Sequence, residues 1–271
     1  MPVSLYGLSA DLDPIMKIAK KNNIGVINDA AEAFGSLYKN KKIAEIADIT
    51  SYSTENSKHI TTGDGGIVVT NNEKYAIAMR KFGSLGYAAM KSGDGRIKIN
   101  KNIFQDPSYK RHDTLGLNYR MPEVAAALGL AQTERLKHFV DLRIKIADMY
   151  LEAVSGCNFI TPQKTPDGYL NTYWCFTVKF EHKDVSWKEF RDKFLSFGGD
   201  GIYAAWTLSY EETVMTSEIY KKKAPHYYKN LSYKKGLCPV AEITQPKLMQ
   251  FVTNYGDIRE ANVKIKALKK T

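Results

Sequence analysis

The sequence predicts an α/β protein with a mainly parallel sheet, followed by a smaller α+β part. Three observations carry that expectation. Strand-like and helical patterns alternate through the first 150 residues, the apolar run at 25–29 ends in an acid, and the pattern changes after Ser155-Gly156 to short strands and shorter helices. Domains over 1–150 and 151–271 follow from that change.

Val3-Ser-Leu-Tyr-Gly reads as a short strand, and residues 11–21 carry Leu12, Ile15, Met16 and Ala19 at helical spacing. The run 25–29 is a second strand, so the first 35 residues read as a β-α-β unit with Asp29 at a strand end, where ligands of open α/β sheets collect. Residues 47–52 and 67–70 are further strands, joined by a polar stretch and the turn Thr61-Thr-Gly-Asp-Gly-Gly. A helix over 72–82 places Tyr75, Met79 and Phe82 on one face. Residues 91–113 are polar, rich in Gly and Lys, and aperiodic, which predicts a long functional loop. Pro122 stands at a first helical position, and Val124, Leu128, Ala131, Leu136, Phe139, Val140 and Ile146 extend an apolar stripe to about Tyr150, predicting one long helix. Beyond it, 173–180 reads as a strand, and 187–197 and 258–268 as helices.

Composition narrows the function classes. With 44% hydrophobic residues the chain has ample core, and its three cysteines, Cys157, Cys175 and Cys238, show no metal-ligand spacing and fit a reducing, cytoplasmic setting. No metal site and no membrane-spanning run is expected. The 39 Lys plus Arg against 29 Asp plus Glu leave a net charge of +10 scattered along the chain, which reads as a solvated basic surface suited to a phosphorylated small molecule rather than to nucleic acid.

Three segments carry chemistry: Asp29-Ala-Ala-Glu-Ala at a strand end, Ser53-Thr-Glu-Asn-Ser-Lys-His with the glycine-rich turn behind it, and Gly116-Leu-Asn-Tyr-Arg-Met-Pro-Glu. Taken singly, each has an ordinary structural explanation, as a cap, a hairpin turn or a surface salt bridge. Their order and wording, together with Val26-Ile-Asn-Asp-Ala-Ala-Glu-Ala, Ser57-Lys-His-Ile-Thr-Thr-Gly-Asp-Gly-Gly, Asn118-Tyr-Arg-Met-Pro-Glu and Gln245-Pro-Lys-Leu-Met-Gln-Phe, resemble the DegT/DnrJ/EryC1/StrS family of pyridoxal-phosphate sugar aminotransferases.

That resemblance implies a fold-type I large domain, pyridoxal 5′-phosphate as cofactor, and a role in nucleotide-sugar and polysaccharide biosynthesis. The implied activity is transfer of an amino group from glutamate to a nucleotide-linked keto-deoxysugar. Lys58 matches the lysine that links the cofactor aldehyde and moves protons. Asp29 matches the acid beneath the pyridine nitrogen, and Ser53 a phosphate ligand. Glu32 stands near the cofactor's phenolic oxygen, where many relatives carry Gln or His. Asn118 matches a residue reaching the neighbouring subunit's cofactor phosphate, which implies a homodimer with shared active sites, and Arg120 is expected either to bind an anionic group of the substrate or, as an arginine before a helix, to form a surface salt bridge. Glu55-Asn-Ser stands where relatives carry an aromatic or a His-Pro pair, and His59 follows a lysine that some relatives replace by histidine to dehydrate sugars.

Family members also begin well upstream of the point that Met1 matches, with glycine and hydroxyl groups that cradle the cofactor phosphate and an aromatic that stacks on its ring. The sequence therefore leaves two expectations standing: an active aminotransferase, or a truncated remnant or one half of a split enzyme that needs an N-terminal partner chain.

Overall fold

The computed structural model describes residues 1–93, 99–217, 219–228 and 233–271. The chain forms two compact units, Met1–Ile144 with Thr165–Trp174, and Lys145–Lys164 with Cys175–Thr271. This division differs from 1–150 and 151–271 for two reasons. Helix α5 (Leu136–Ala153) runs through the boundary, so its unbroken periodicity hides it. Residues 165–174 return to the first unit, where Leu37 and Leu170 form an antiparallel bridge and the Asn40 N–H donates to the Gly168 carbonyl at 2.7 Å.

In the first unit, α1 (Leu12–Lys21) buries Leu12 and Ala19 and ends in Lys20 and Lys21, which complement the negative end of the helix dipole. Strand β1 (Ile27–Asp29) lies parallel to β4 (Ile49–Ser53), with Asp29 opposite Ser51. Val3 makes only a parallel bridge to Asp29 rather than a strand, because the chain leaves extended geometry at Tyr6 and Gly7, both at positive φ. The hairpin of β2 (Leu37–Tyr38) and β3 (Lys41–Lys42) turns through Lys39 and Asn40, both left-handed, as a two-residue loop of this hand requires.

The sheet order is β1-β4-β5, with β5 (Gly66–Val69) antiparallel to β4. The connection closes on itself, the Thr54 N–H donating to the Gly65 carbonyl at 3.0 Å and the Thr54 and Thr62 hydroxyls bonding at 2.7 Å, so β5 returns beside its predecessor instead of crossing over. Helix α2 (Glu73–Phe82) starts at Asn72, whose side chain accepts from the Lys74 and Tyr75 N–H groups.

Within the stretch read as an aperiodic loop, Asn100 caps a short helix, α3 (Lys101–Gln105), and Tyr87 bridges to His112; residues 94–98 of that stretch lie outside the described residues. The single long helix expected after it is two, α4 (Glu123–Glu134) and α5. Pro122 caps the first from an extended ψ of 149°, and at Arg135 the turn tightens, its N–H bonding the Gln132 carbonyl at 3.1 Å.

The second unit holds an antiparallel sheet in the order β6 (Ile160–Pro162), β7 (Cys175–Phe180), β9 (Leu248–Val252), β8 (Tyr203–Ala204). Helix α6 (Trp187–Ser196) begins with a reciprocal Ser186/Glu189 cap, and the C-terminal helix Ile258–Lys270 buries Ala261, Ile265, Ala267 and Leu268. Tyr150 stacks on Phe176 at 5.1 Å, and Phe194 meets Phe251 edge-on at 5.7 Å. Among the described residues no helix is long and apolar enough to cross a membrane.

Candidate active site

The site grows from the end of β1. The Asp29 main chain is fixed on one side by Ser4, whose N–H donates to its carbonyl at 2.7 Å, and on the other by β4. Its carboxylate accepts the Ala31 N–H at 3.0 Å, an Asx turn that bends the chain and brings Glu32 back toward the strand end. Glu32 accepts the Tyr6 N–H at 3.0 Å through Oε2, while Oε1 lies 3.5 Å from Lys58 Nζ.

Both partners are largely enclosed, the Lys58 and Glu32 side chains being 14% and 17% exposed. Burial pushes the Glu32 carboxyl above the ordinary carboxylate range; the Tyr6 N–H and the Lys58 ammonium pull it back, and the Asp29 carboxylate adds to the rise. Asp29, Glu32 and Lys58 thus form one electrostatic cluster drawn from two segments.

Lys58 sits in a knot of short hydrogen bonds. The Ser53 hydroxyl accepts the Glu55 N–H at 3.1 Å, and a hydroxyl that accepts keeps one hydrogen to give. Glu55 takes both the N–H and the hydroxyl of Ser57, and these bonds, the hydroxyl's first, hold its carboxyl below the usual range. The Lys58 ammonium lies over the Trp174 ring, 4.5 Å from its centre. The Trp174 indole N–H donates to the Ser57 carbonyl at 2.9 Å. Arg143, 5% exposed, donates to the Trp174 carbonyl at 2.8 Å and to the Lys58 carbonyl at 3.2 Å.

His59 turns inward. Its Nε2 lies 3.0 Å from the Thr172 carbonyl and so carries the hydrogen; burial, followed by the Arg143 charge, pushes its pKa down to about 3. A neutral, interior imidazole bound to a carbonyl is a packing element of the site.

Asn118 and Arg120 belong to the segment that leads into α4. Asn118 is exposed and pairs its backbone with Ser84, and Arg120 lines a groove of about 840 Å3 with Val68, Met79, Phe82 and Tyr119. The structure therefore gathers Asp29, Glu32 and Lys58, with Ser53 at the end of the neighbouring strand, while the contacts shown for Asn118 and Arg120 are with other residues. Among the described residues no His, Cys, Asp and Glu group could hold a metal ion.

Sequence reasoning passed over Arg143, Trp174 and Tyr6. Arg143 left a signal: it stands three residues after Val140 and four before Ala147, a charge on the buried stripe of α5. Trp174 left none, because it reaches Lys58 only after residues 165–174 return to the first unit.

Comparison with known proteins agrees with this architecture. GDP-perosamine synthase of Escherichia coli O157:H7 is 35% identical over 178 residues, which cover 66% of this chain and 44% of the relative. The UDP-4-amino-4,6-dideoxy-N-acetyl-beta-L-altrosamine transaminase of Campylobacter jejuni (strain 81-176) is 29% identical over 230 residues, 84% of this chain and 57% of the relative. The chain thus spans about half the length of the curated relatives it matches. Among solved structures, an aminotransferase from Psychrobacter cryohalolentis superposes with a TM-score of 0.77 at 23% identity, covering 99% of this chain and 67% of that one. Helicobacter pylori PseC, an aminotransferase of pseudoaminic acid biosynthesis, gives 0.76 at 20% identity over 99% and 65%. These likenesses establish the fold-type I α/β architecture. The family model for DegT/DnrJ/EryC1/StrS aminotransferases matches residues 1–249, and the chain belongs to that family.

Proposed function

We propose that this chain carries the cofactor-linking site of a pyridoxal-phosphate-dependent aminotransferase that moves an amino group from glutamate to the keto carbon of a nucleotide-linked deoxysugar. The observation that carries the reading is the enclosed Lys58 amine 3.5 Å from Glu32 in one electrostatic cluster with Asp29, at the C-terminal end of parallel strands. The donor set suits the cofactor: an amine for its aldehyde, a carboxylate for its ring nitrogen, a hydroxyl for its phosphate, and at Glu32 a carboxyl that burial favours in its protonated form, the form able to donate to the phenolic oxygen. The relatives named for GDP- and UDP-linked sugars support a nucleotide-linked substrate.

When bound, pyridoxal phosphate supplies an electron sink for the carbon that gains or loses the amino group. The residues of this chain do the rest. Lys58 would hold the cofactor through Nζ and, when its amine is free, would take and return a proton at that atom. Asp29 keeps a proton on the ring nitrogen, Glu32 orients the phenolic side, and Ser53 Oγ donates to a phosphate oxygen. Asn118 serves the partner subunit's site in a homodimer, and Arg120 binds an anionic group of the substrate.

The test is spectroscopic and chemical. Purified protein mixed with pyridoxal phosphate gains a visible band that Lys58→Ala abolishes and Asp29→Asn weakens, and it forms 2-oxoglutarate from glutamate when a GDP- or UDP-linked 4-keto sugar is present. Undiminished transfer in Lys58→Ala overturns the reading.

One observation favours a second form of it. In β5, Ile67 and Val68 are 38% and 52% exposed, apolar side chains that a further layer would bury. In that form the site works when an N-terminal partner chain covers the sheet, and coexpression with such a chain raises cofactor binding. Full binding by this chain alone contradicts it.

A further inference from the structure

A lysine that links a cofactor in one part of a reaction and stands free in another needs a defined place for its ammonium while free. Glu32 alone defines it loosely, since its Oε1 lies 3.5 Å away, longer than a tight charged hydrogen bond. The indole of Trp174 supplies the second boundary, its centre 4.5 Å from Nζ. An aromatic face attracts a cation most strongly where water is excluded, and the Lys58 side chain is 14% exposed.

Trp174 is fixed in that place from both ends. Its ring is held by the indole N–H bond to the Ser57 carbonyl at 2.9 Å and by the ring of Tyr6, stacked at 6.5 Å and 10°. Its main chain is held by Arg143, and the same guanidinium reaches the Lys58 carbonyl. Ring and lysine backbone are therefore tied to one another twice, through Ser57 and through Arg143. The turn that presents the indole is itself specified: Tyr173 sits at a φ of +45° with its N–H on the Asn171 side chain at 2.9 Å.

The geometry points to Trp174 as a positioning residue for Lys58, its indole face holding the ammonium whenever the amine is not joined to the cofactor. This rests on the reading of Lys58 given above. Trp174 acts through Lys58 and has no bond-making part of its own.

The experiment uses cofactor-free protein in which Trp174 is replaced site-specifically by 5-fluoro- and then 5,7-difluorotryptophan, which keep the shape and the N–H but weaken the ring face. Trace acetylation with acetic anhydride, which consumes only unprotonated amines, is read by peptide mass spectrometry as the ratio of Lys58 to Lys137, whose side chain is 86% exposed. Lys81, 20% exposed and paired with Asp113, reports any loosening of the first unit.

The expected result is a stepwise rise of the Lys58 ratio, about 2-fold with one fluorine and about 4-fold with two, at constant Lys81 labelling. Trp174→Leu extends the series to about 10-fold. A flat fluorine series overturns the proposal, and so does a parallel rise at Lys81, because the change is then general loosening. A rising series in protein whose Lys58 never links pyridoxal phosphate removes the functional reading and with it the purpose of the contact. A flat series in protein whose Lys58 does link it removes the role of Trp174 alone.

Discussion

The three-stranded sheet of the first unit and the four-stranded sheet of the second are both rich in apolar residues and bury them differently. In β7 of the second unit, Cys175, Phe176, Thr177, Val178 and Phe180 are buried, and β9 buries Met249, Gln250 and Phe251. In β5 of the first unit no residue is buried, and Val3, Ile27 and Val68 are 48%, 42% and 52% exposed. The second unit is held by aromatic packing. The first is held, around its site, by turns and hydrogen bonds that must be met one by one: the Asx turn at Asp29, the Ser57, Trp174 and Arg143 ties, and the inward His59. The difference separates a sheet closed by apolar packing from a site held by individual bonds, in a unit whose own apolar core gathers around Leu12, Ala30, Ala33, Tyr38 and Ile43.

Breaking the comparison at its strong side has the largest expected effect. Phe251→Ala removes a ring that meets Tyr150, Phe176 and Phe194, and is expected to destabilise the second unit by about 3–5 kcal/mol in denaturant unfolding. A loss below about 1 kcal/mol contradicts the packing account. In the first unit the corresponding weak point is a turn. Gly7 has a φ of +100°, and a Cβ there would lie 2.2 Å from the Tyr173 nitrogen, so Gly7→Ala is expected to cost about 2–4 kcal/mol and to shift tryptophan fluorescence as Trp174 loosens.

These positions show what could be read from the sequence and what could not. Helix α1 was legible from apolar periodicity alone, and in α2 and α6 periodicity and capping residues agree, at Asn72 and Ser186. The antiparallel turn of β5 was not, because Thr54 to Gly65 is long enough for either strand direction and what closes it are bonds between residues far apart in the segment, the Thr54 N–H to the Gly65 carbonyl and the Thr54 and Thr62 hydroxyl pair. The Asp29, Glu32 and Lys58 grouping was legible through family motifs, whereas Trp174 depends on a contact between residues far apart in sequence. Asn118 and Arg120 were read as site residues from motif alone; the structure shows Asn118 bridged to Ser84 and Arg120 lining a groove with Val68, Met79 and Phe82.

The pH dependence of stability sharpens the comparison further. His59 is neutral when folded, with its pKa pushed from 6.5 down to about 3, so the unfolded chain binds a proton that the folded chain refuses. Its contribution is fully present above about pH 6.5 and is lost as pH falls toward 3, at up to about 1.4 kcal/mol per pH unit for the one proton taken up. His59→Asn is expected to flatten that part of the stability profile of the first unit, and an unchanged slope contradicts a buried neutral imidazole. The smallest effect belongs to the uncovered sheet. Val68→Thr in the isolated chain is expected to change stability by less than about 0.5 kcal/mol, and a larger loss means that β5 is packed after all.

The central claim is that the Lys58 amine is the group that joins the cofactor. Protein incubated with pyridoxal phosphate, reduced with borohydride and mapped by mass spectrometry should carry the phosphopyridoxyl mass on the peptide containing Lys58, and Asp29→Asn should lower its yield. Modification spread over surface lysines, with the Lys58 peptide unlabelled, would contradict it.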